Sequence, residues 1–174
     1  MKEKNIANEV KLETLKTLGF IFRIPGGSSR TGDHASYGLI VEYQNGIAYL
    51  LVVPYNPSIR IDRKYEEDFE EEPKGNLELK VSEQTGVLVR RYHHIGNQEA
   101  KNNRLEVKAE KHIKHVFFVE TFDDSNIRQD PTKDKRIDPP LWLPEDFWHY
   151  ICPQHQWMLC LLEKELGPKL HEHS

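Results

Sequence analysis

Long apolar runs are absent from this chain of 174 residues. No stretch approaches the roughly 20 apolar residues that a membrane-spanning helix needs. The N-terminal segment MKEKNIANEVKLE also lacks the apolar core of a secretory signal peptide. We therefore expect no membrane partner and a cytoplasmic location.

Cysteine is scarce, because the chain contains only Cys152 and Cys160. Without a second pair of cysteines, the spacing of a structural zinc site is missing. In a reducing compartment the expectation is two buried free thiols rather than a disulfide.

An excess of positive charge is absent as well. The chain has 24 Lys and Arg residues against 28 Asp and Glu residues, which gives a net charge of −4. No diffuse positive field is available to attract nucleic acid or anionic lipid, so nucleic acid is not an expected partner. The hydrophobic content of 37% is that of a folded globular protein, and the length suits a single domain. The oligomeric state stays open.

The N-terminal third contains one predicted helix and one short predicted strand. Apolar residues at helical spacing predict a helix over residues 5–18, which Gly19 ends. FIFRIP, residues 20–25, is typical of a strand, and the glycine-rich residues 26–36 are predicted as a loop without a phosphate-binding Walker pattern. The residues expected on the buried face of the helix are Ile6, Val10, Leu15 and Leu18.

The clearest local signal is YGLIVEYQNGIAYLLVVPY, residues 37–55. Two apolar and β-branched runs flank Asn45 and Gly46, which tolerate the positive φ angles of a tight hairpin turn. The sequence therefore predicts a β-hairpin. The run LLVV does not alternate with polar residues, so we expect its strand to be covered on both faces.

The remaining pattern alternates between strands and helices. Residues 54–72 are predicted to be irregular, and a helix over 74–85 follows Pro73 and ends at Gly86. Two strands, within 87–98 and 104–122, should be separated by a turn near residues 102–103, with a bend in the second strand. Short helices should begin at Pro144 and Pro153, the latter ending at Gly167. This order predicts a mixed sheet with helices on its faces.

One spacing around the central helix resembles the Nudix box, in the stretch EEPKGNLELKVSEQTGV. Five of the nine positions that the box specifies match, and four differ. The matching residues are Glu71, Val81, Glu83, Gly86 and Val87. The departures are Tyr65 for Gly, Leu79 for Arg, and Lys80 and Gln84 for two glutamates.

The resemblance to the Nudix superfamily covers about residues 35–165. The hairpin is most similar to that of the dinucleoside-tetraphosphate hydrolase type, KHVFFVETF resembles the following core strand, and LWLPEDF resembles the stretch that leads into the C-terminal helix. The resemblance implies an α/β fold, the Nudix-type α/β/α sandwich with a central mixed β-sheet. Residues 1–174 would form one domain, with residues 1–34 as an N-terminal extension of helix and strand.

The same resemblance implies a chemistry that this sequence has altered. In the family, carboxylates on the box helix hold divalent cations against a diphosphate. Residues 80, 83 and 84 share one helical face, and Lys80, Glu83 and Gln84 lower the formal charge of that face from −3 to about zero. Glu83 and Glu71 remain the candidate catalytic and metal-binding residues, with Mg²⁺ or Mn²⁺ as cofactor if the protein is active and no cofactor otherwise.

We therefore predict that the chain binds a nucleotide or another phosphate-bearing ligand with little or no hydrolysis. The candidate ligand-binding residues are Lys80, Gln84, Arg60, Arg63 and Lys64. One alternative is a divergent metal-dependent hydrolase of nucleoside-diphosphate-linked compounds, and another is an interaction module without a small ligand. Without the resemblance, Lys80 and Glu83 would simply form a solvated surface ion pair.

Histidines suggest a weaker possibility. His93, His94, His112 and His115 could gather on two strands, but neighbouring strand residues point to opposite faces of a sheet. No third ligand at a metal-like spacing is evident, so a zinc site is not predicted.

Overall fold

The computed structural model describes residues 5–28, 34–59, 73–101, 111–122, 127 and 135–172. Several sequence predictions lie outside these residues. They concern Arg60, Arg63, Lys64, Glu71 and the turn near residues 102–103.

Within the described ranges, helices alternate with strands in the order that the sequence predicts for an α/β protein. Two short 3₁₀ helices, Glu145–Tyr150 and Pro153–His155, precede the last α-helix. The elements are α1 (Glu9–Thr17), β1 (Ile21–Arg23), β2 (Gly26–Ser28), β3 (His34–Gln44), β4 (Ile47–Tyr55), α2 (Pro73–Thr85), β5 (Val89–Lys101), β6 (Lys111–Thr121), β7 (Leu141–Pro144) and α3 (Gln156–Glu172).

The strands form one mixed sheet with helices on both faces. The central order is β1-β4-β3-β6-β5, while β2 pairs with β3 and β7 pairs with β4. Strands β3 and β6 run parallel, and the other pairs are antiparallel. Leu77 and Val81 of α2 pack in one apolar cluster, whereas Leu12 of α1 and Met158 of α3 belong to the other. The predicted α/β/α sandwich with a central mixed sheet is confirmed.

The predicted hairpin is present as β3 and β4. Asn45 and Gly46 have φ angles of 53° and 79°, which is the backbone that a two-residue turn between twisted strands requires. Gln44 pairs with Ile47 directly across the turn. The run from Leu50 to Val53 is at most 2% exposed, because both helical layers cover β4. The expectation of a strand buried on both faces is therefore also confirmed.

The first helix begins later and faces differently than predicted. The side chain of Asn8 accepts a hydrogen bond from the Lys11 backbone N–H at 2.9 Å, so the helix begins after residue 8. Leu12 is fully buried, whereas Val10 and Leu18 are 77% and 63% exposed. The predicted face was therefore wrong for Val10 and Leu18 but right for Leu15, which packs on the core beside Leu12.

The residues before the first helix join the sheet instead. Asn5 and Ala7 exchange backbone hydrogen bonds with Trp142 at 2.8 and 2.9 Å, and Asn5 also donates its side-chain N–H to the Pro140 carbonyl. Together with the pairing of β1 and β2 to the hairpin, these bonds make the predicted N-terminal extension part of the central sheet.

Three further predictions need correction. Residues 26–28, predicted as loop, form β2, because β3 extends far enough to pair with them. Helix α3 continues beyond Gly167, which does not take the positive φ angle that ends a helix. Cys152 is buried as expected, but Cys160 is exposed.

Two glycines permit close packing near helix α2: Gly38 lies between the sheet and the helix, and Gly26 lies against β3. A Cβ at Gly38 would lie 3.0 Å from Val119 and 3.1 Å from Val81, so a larger residue there would push the helix outward. A Cβ at Gly26 would lie 2.1 Å from the Ser36 carbonyl oxygen, and the φ angle of Gly26 is 151°. Both positions therefore need glycine.

Polar side chains of α2 also attach the helix to the sheet by forming hydrogen bonds with the backbone of β2. The Gln84 side chain accepts a hydrogen bond from the Gly26 N–H and donates one to the Gly26 carbonyl, each at 2.9 Å. Asn76 donates to the Gly27 carbonyl at 2.6 Å. These bonds satisfy β2 backbone groups that another strand would otherwise pair, and they hold α2 in one position on the sheet.

A buried histidine holds α3 to the other side of the molecule. His155 is 3% exposed, accepts a hydrogen bond from the Ile24 backbone N–H at 3.0 Å and packs edge-on against the Tyr37 ring. Burial, then repulsion from Arg23 and Lys114, lowers the pKa of His155 to about 3. His155 is therefore neutral in the folded protein.

The His155 contacts predict a fall in stability as the pH falls. The unfolded histidine binds a proton near pH 6.5, whereas the folded one binds it only near pH 3. Its stabilising effect is complete above pH 6.5 and is lost below that value, by up to about 1.4 kcal/mol per pH unit. Urea unfolding at pH 5, 6 and 7 should show a shallower pH slope for His155→Gln than for the native protein. Replacing the exposed His149 with glutamine is the control, and equal slopes for His155→Gln and native protein would contradict the expectation.

The Gln84 contacts predict the effect of placing a glutamate at this position. Gln84→Glu removes the N–H that the Gly26 carbonyl accepts and places a carboxylate oxygen beside it. We expect a loss of about 1–3 kcal/mol in the free energy of unfolding, measured in urea at pH 7. Glu78→Gln, the reverse exchange at an exposed position of the same helix, should change stability by less than about 0.5 kcal/mol. A Gln84→Glu variant as stable as the native protein would show that the paired amide is not what seats the helix.

Candidate functional site

Lys80 lies at the centre of the face of α2 that contacts β2. Asn76, Lys80 and Gln84 are four residues apart and therefore lie above one another on this face. A Cβ added to Gly27 would lie 3.5–3.8 Å from the Cδ, Cε and Cγ atoms of Lys80. The aliphatic part of Lys80 thus packs on the glycine backbone, and the residue is only 6% exposed.

Lys80 and Glu83 form an ion pair on this face. Lys80 Nζ lies 3.9 Å from Glu83 Oε2, and the two side chains are 8% and 27% exposed. The two side chains are therefore not fully solvated, in contrast to the surface ion pair expected from the sequence without the family resemblance. Partial burial strengthens the attraction between the charges, and the ammonium group balances the Glu83 carboxylate.

Of the predicted site residues, the structure brings Lys80, Glu83 and Gln84 together on α2. The amide group of Gln84 is bonded to the Gly26 backbone, which gives this residue a role in positioning the helix. Because Glu71 is not described, the pairing of its carboxylate with Glu83 stays a prediction, as does a Mg²⁺ or Mn²⁺ cofactor. The ligand contacts predicted for Arg60, Arg63 and Lys64 stay predictions for the same reason.

The structure also brings three histidines together in a row, and the sequence analysis did not identify one of them, His34. His115 Nε2 lies 3.2 Å from His34 Nδ1, and His115 Nδ1 lies 3.0 Å from His94 Nε2. Burial, then the neighbouring His94 and His34, lowers the pKa of His115 to about 4. His93 pairs across the sheet with Phe118 and points to the opposite face.

His34 was missed because it lies on β3, 81 residues before His115 in the chain. Only the parallel pairing of β3 with β6 brings the two side chains together. The alternation of side chains along a strand correctly predicts that His93 and His94 point to opposite faces. The sequence therefore indicated that only one of the two could approach His115. Within the described ranges, no group of three or more His, Cys, Asp or Glu side chains is arranged to hold a metal ion.

A groove with a volume of about 810 Å³ lies beside α1, on the face of the sheet opposite Lys80. Val10, Leu15, Pro54 and Leu141 contribute its apolar walls. None of the predicted site residues lines this groove. Among the described residues, no helix is both long enough and apolar enough to cross a membrane.

Comparisons with known proteins rest on structure alone. No protein family and no curated protein matches the sequence. Among solved structures, the NUDIX domain of Shewanella oneidensis NrtR, complexed with ADP ribose, matches with a TM-score of 0.53 and 11% identity. The match covers 76% of this chain and 87% of that domain.

A second structure, Shewanella oneidensis NrtR complexed with a 27mer DNA, matches with a TM-score of 0.31 and 12% identity. This match covers 48% of this chain and 40% of that one, which is too little to compare the two proteins. The expectation that nucleic acid is not a partner stays a prediction, and so does the dinucleoside-tetraphosphate hydrolase character of the hairpin. The NUDIX domain match agrees with the box-like spacing and the α/β/α layers, and the chain therefore has the Nudix fold.

Proposed function

We propose that the protein binds a nucleotide or another phosphate-bearing ligand beside α2 and hydrolyses it little or not at all. The observation that carries this proposal is the buried ammonium group of Lys80, 3.9 Å from Glu83 Oε2, on the helix that corresponds to the Nudix box.

A lysine at this position opposes a divalent cation. Two unit charges about 4 Å apart repel by about 4 kcal/mol at the effective dielectric constant near a protein surface, and the repulsion is larger for a dication. The Glu83 carboxylate, which would attract such a cation, is already balanced by Lys80. Metal-dependent attack of water on a phosphate is therefore disfavoured at this site.

The same ammonium group suits an anionic ligand. Lysine acts as a compact positive charge with three donors, and its bonds to phosphate oxygens are charge-assisted. Packing of the Lys80 stem on Gly27 restricts its side chain before a ligand arrives, which lowers the entropic cost of binding. The complex of the NrtR NUDIX domain with ADP ribose supports this ligand class.

The alternatives differ in what they require of Glu83. A divergent hydrolase needs this carboxylate, with Glu71 or a neighbour, as a ligand of Mg²⁺ or Mn²⁺. An interaction module without a small ligand needs neither Glu83 nor Lys80 to contact a nucleotide. One set of variants therefore separates the three functions.

Binding should occur without metal and should depend on Lys80. In calorimetric titrations with ADP-ribose and ADP in the presence of EDTA, we expect Lys80→Met to weaken binding at least about tenfold, the equivalent of about 1.4 kcal/mol. Methionine keeps the apolar contact with Gly27 but removes the charge. Lys164→Met, at an exposed position of α3, is the matched control and should bind like the native protein. Failure of both compounds to bind the native protein would favour the interaction module.

Glu83→Gln distinguishes binding from hydrolysis. This change removes the carboxylate that competes with a ligand phosphate for the Lys80 ammonium group. Ligand binding in EDTA should therefore be retained or strengthened. Product release should be assayed in parallel with Mg²⁺ and with Mn²⁺. Turnover that requires metal and disappears in Glu83→Gln would overturn the proposal in favour of the hydrolase.

A further inference from the structure

Three imidazoles lie in a row across the face of the sheet that α2 covers. His34 belongs to β3, His115 to β6 and His94 to β5, so three different strands fix their backbone positions. His34 and His115 are partly buried, while His94 is exposed. Because all three histidines lie on paired strands rather than on a loop, the backbone restricts how far their rings can move apart.

The two ring contacts differ in shape. Both pairs have ring centroids 5.2 Å apart, although the facing nitrogens are 3.0 Å apart for His94 and His115 and 3.2 Å apart for His34 and His115. A longer nitrogen separation at the same centroid distance means that the facing nitrogens of His34 and His115 lie farther from the line between the ring centres. A tilt of both rings to the same side would direct the two lone pairs at one point, as binding to a single metal ion requires.

The separation of these nitrogens matches two ligands of one metal ion. A tetrahedral zinc ion with Zn–N bonds of about 2.0–2.1 Å holds its ligand nitrogens about 3.3–3.4 Å apart. The 3.2 Å between His34 Nδ1 and His115 Nε2 requires only a slight widening. The contact of His94 with the other nitrogen of His115 has the shape of an N–H···N hydrogen bond.

We propose that His34 and His115 bind a first-row transition-metal dication such as Zn²⁺ or Ni²⁺. His34 Nδ1 and His115 Nε2 are the ligands. The proton between these two nitrogens leaves for solvent while the imidazole that carried it takes up a proton on its other nitrogen, so both rings stay neutral and no net proton is released. His115 then donates its Nδ1–H to His94 Nε2, which fixes the tautomer and the ring orientation of His115. Imidazole favours Zn²⁺, Ni²⁺ and Cu²⁺ over Mg²⁺ and Ca²⁺, and water would fill the remaining positions.

This site is separate from the one proposed around Lys80. His115 pairs with Ser36 on β3, and Ser36 pairs with Gly27 on β2, where Lys80 packs. Two strand spacings place the backbone of His115 roughly 10 Å from that of Gly27, and Lys80 is not one of the proposed ligands. The inference therefore does not depend on the proposed nucleotide function.

Titration of the full chain with Zn²⁺ and Ni²⁺ tests the site. We expect one ion to bind in this site, at least about tenfold more weakly to His34→Gln and to His115→Gln. His94→Gln should weaken binding by about tenfold, the usual effect of losing a partner that orients a ligand. His93→Gln is the matched control, because this exposed histidine is adjacent to His94 but points to the opposite face. It should bind the metals like the native protein.

Thermal unfolding provides a second measurement that does not depend on how many weak metal sites the surface offers. Zn²⁺ should raise the melting temperature of the native protein and of His93→Gln, but not of His34→Gln, while Mg²⁺ should have no comparable effect. Unfolding without metal shows whether each variant is folded. Equal zinc affinity and equal stabilisation in native protein, His34→Gln and His115→Gln would overturn the proposal.

Discussion

The seating of α2 on β2 is the constraint on which the candidate site depends. Gly38 and Gly27 carry no side chain where α2 lies against the sheet, and Gln84 pairs with both backbone groups of Gly26. With the helix this close, the stem of Lys80 must lie flat on Gly27 and its ammonium group must remain near Glu83. A looser helix would allow Lys80 to extend into solvent, where its charge would have little influence on a ligand.

The presence of a glutamine rather than a glutamate at position 84 has a structural consequence as well as a chemical one. A carboxylate accepts hydrogen bonds but cannot donate them at neutral pH, whereas an amide does both. The Gly26 backbone offers one donor and one acceptor, which Gln84 satisfies together. Position 84 therefore contributes to attachment of the helix, and the chemical character of the face is left to Lys80 and Glu83.

The parts of the fold that follow from local sequence were predictable. Asn45 and Gly46 specify the hairpin, and the unbroken run from Leu50 to Val53 indicates burial on both faces, because each signal is contained within a few residues. The pairing of β2 with β3 and of β3 with β6 was not predictable, since it depends on contacts between distant segments. The same limit applies to the site: the resemblance to the Nudix box and the helical spacing singled out Lys80 and Glu83, but their burial and the contact of His34 with His115 required the sheet.

The two candidate sites offer opposite environments to a cation on one face of the sheet. At Lys80 the oxygen ligands that Mg²⁺ prefers are few, and a fixed positive charge opposes the ion. At His34 and His115 the ligands are neutral nitrogens, whose preference for a transition metal does not depend on a cluster of negative charge. Weak attraction for Mg²⁺ beside Lys80 would therefore not imply that the face lacks affinity for all metals. Because a β-sheet fixes the imidazoles and the helix fixes the ammonium group, a change at one site can leave the other intact.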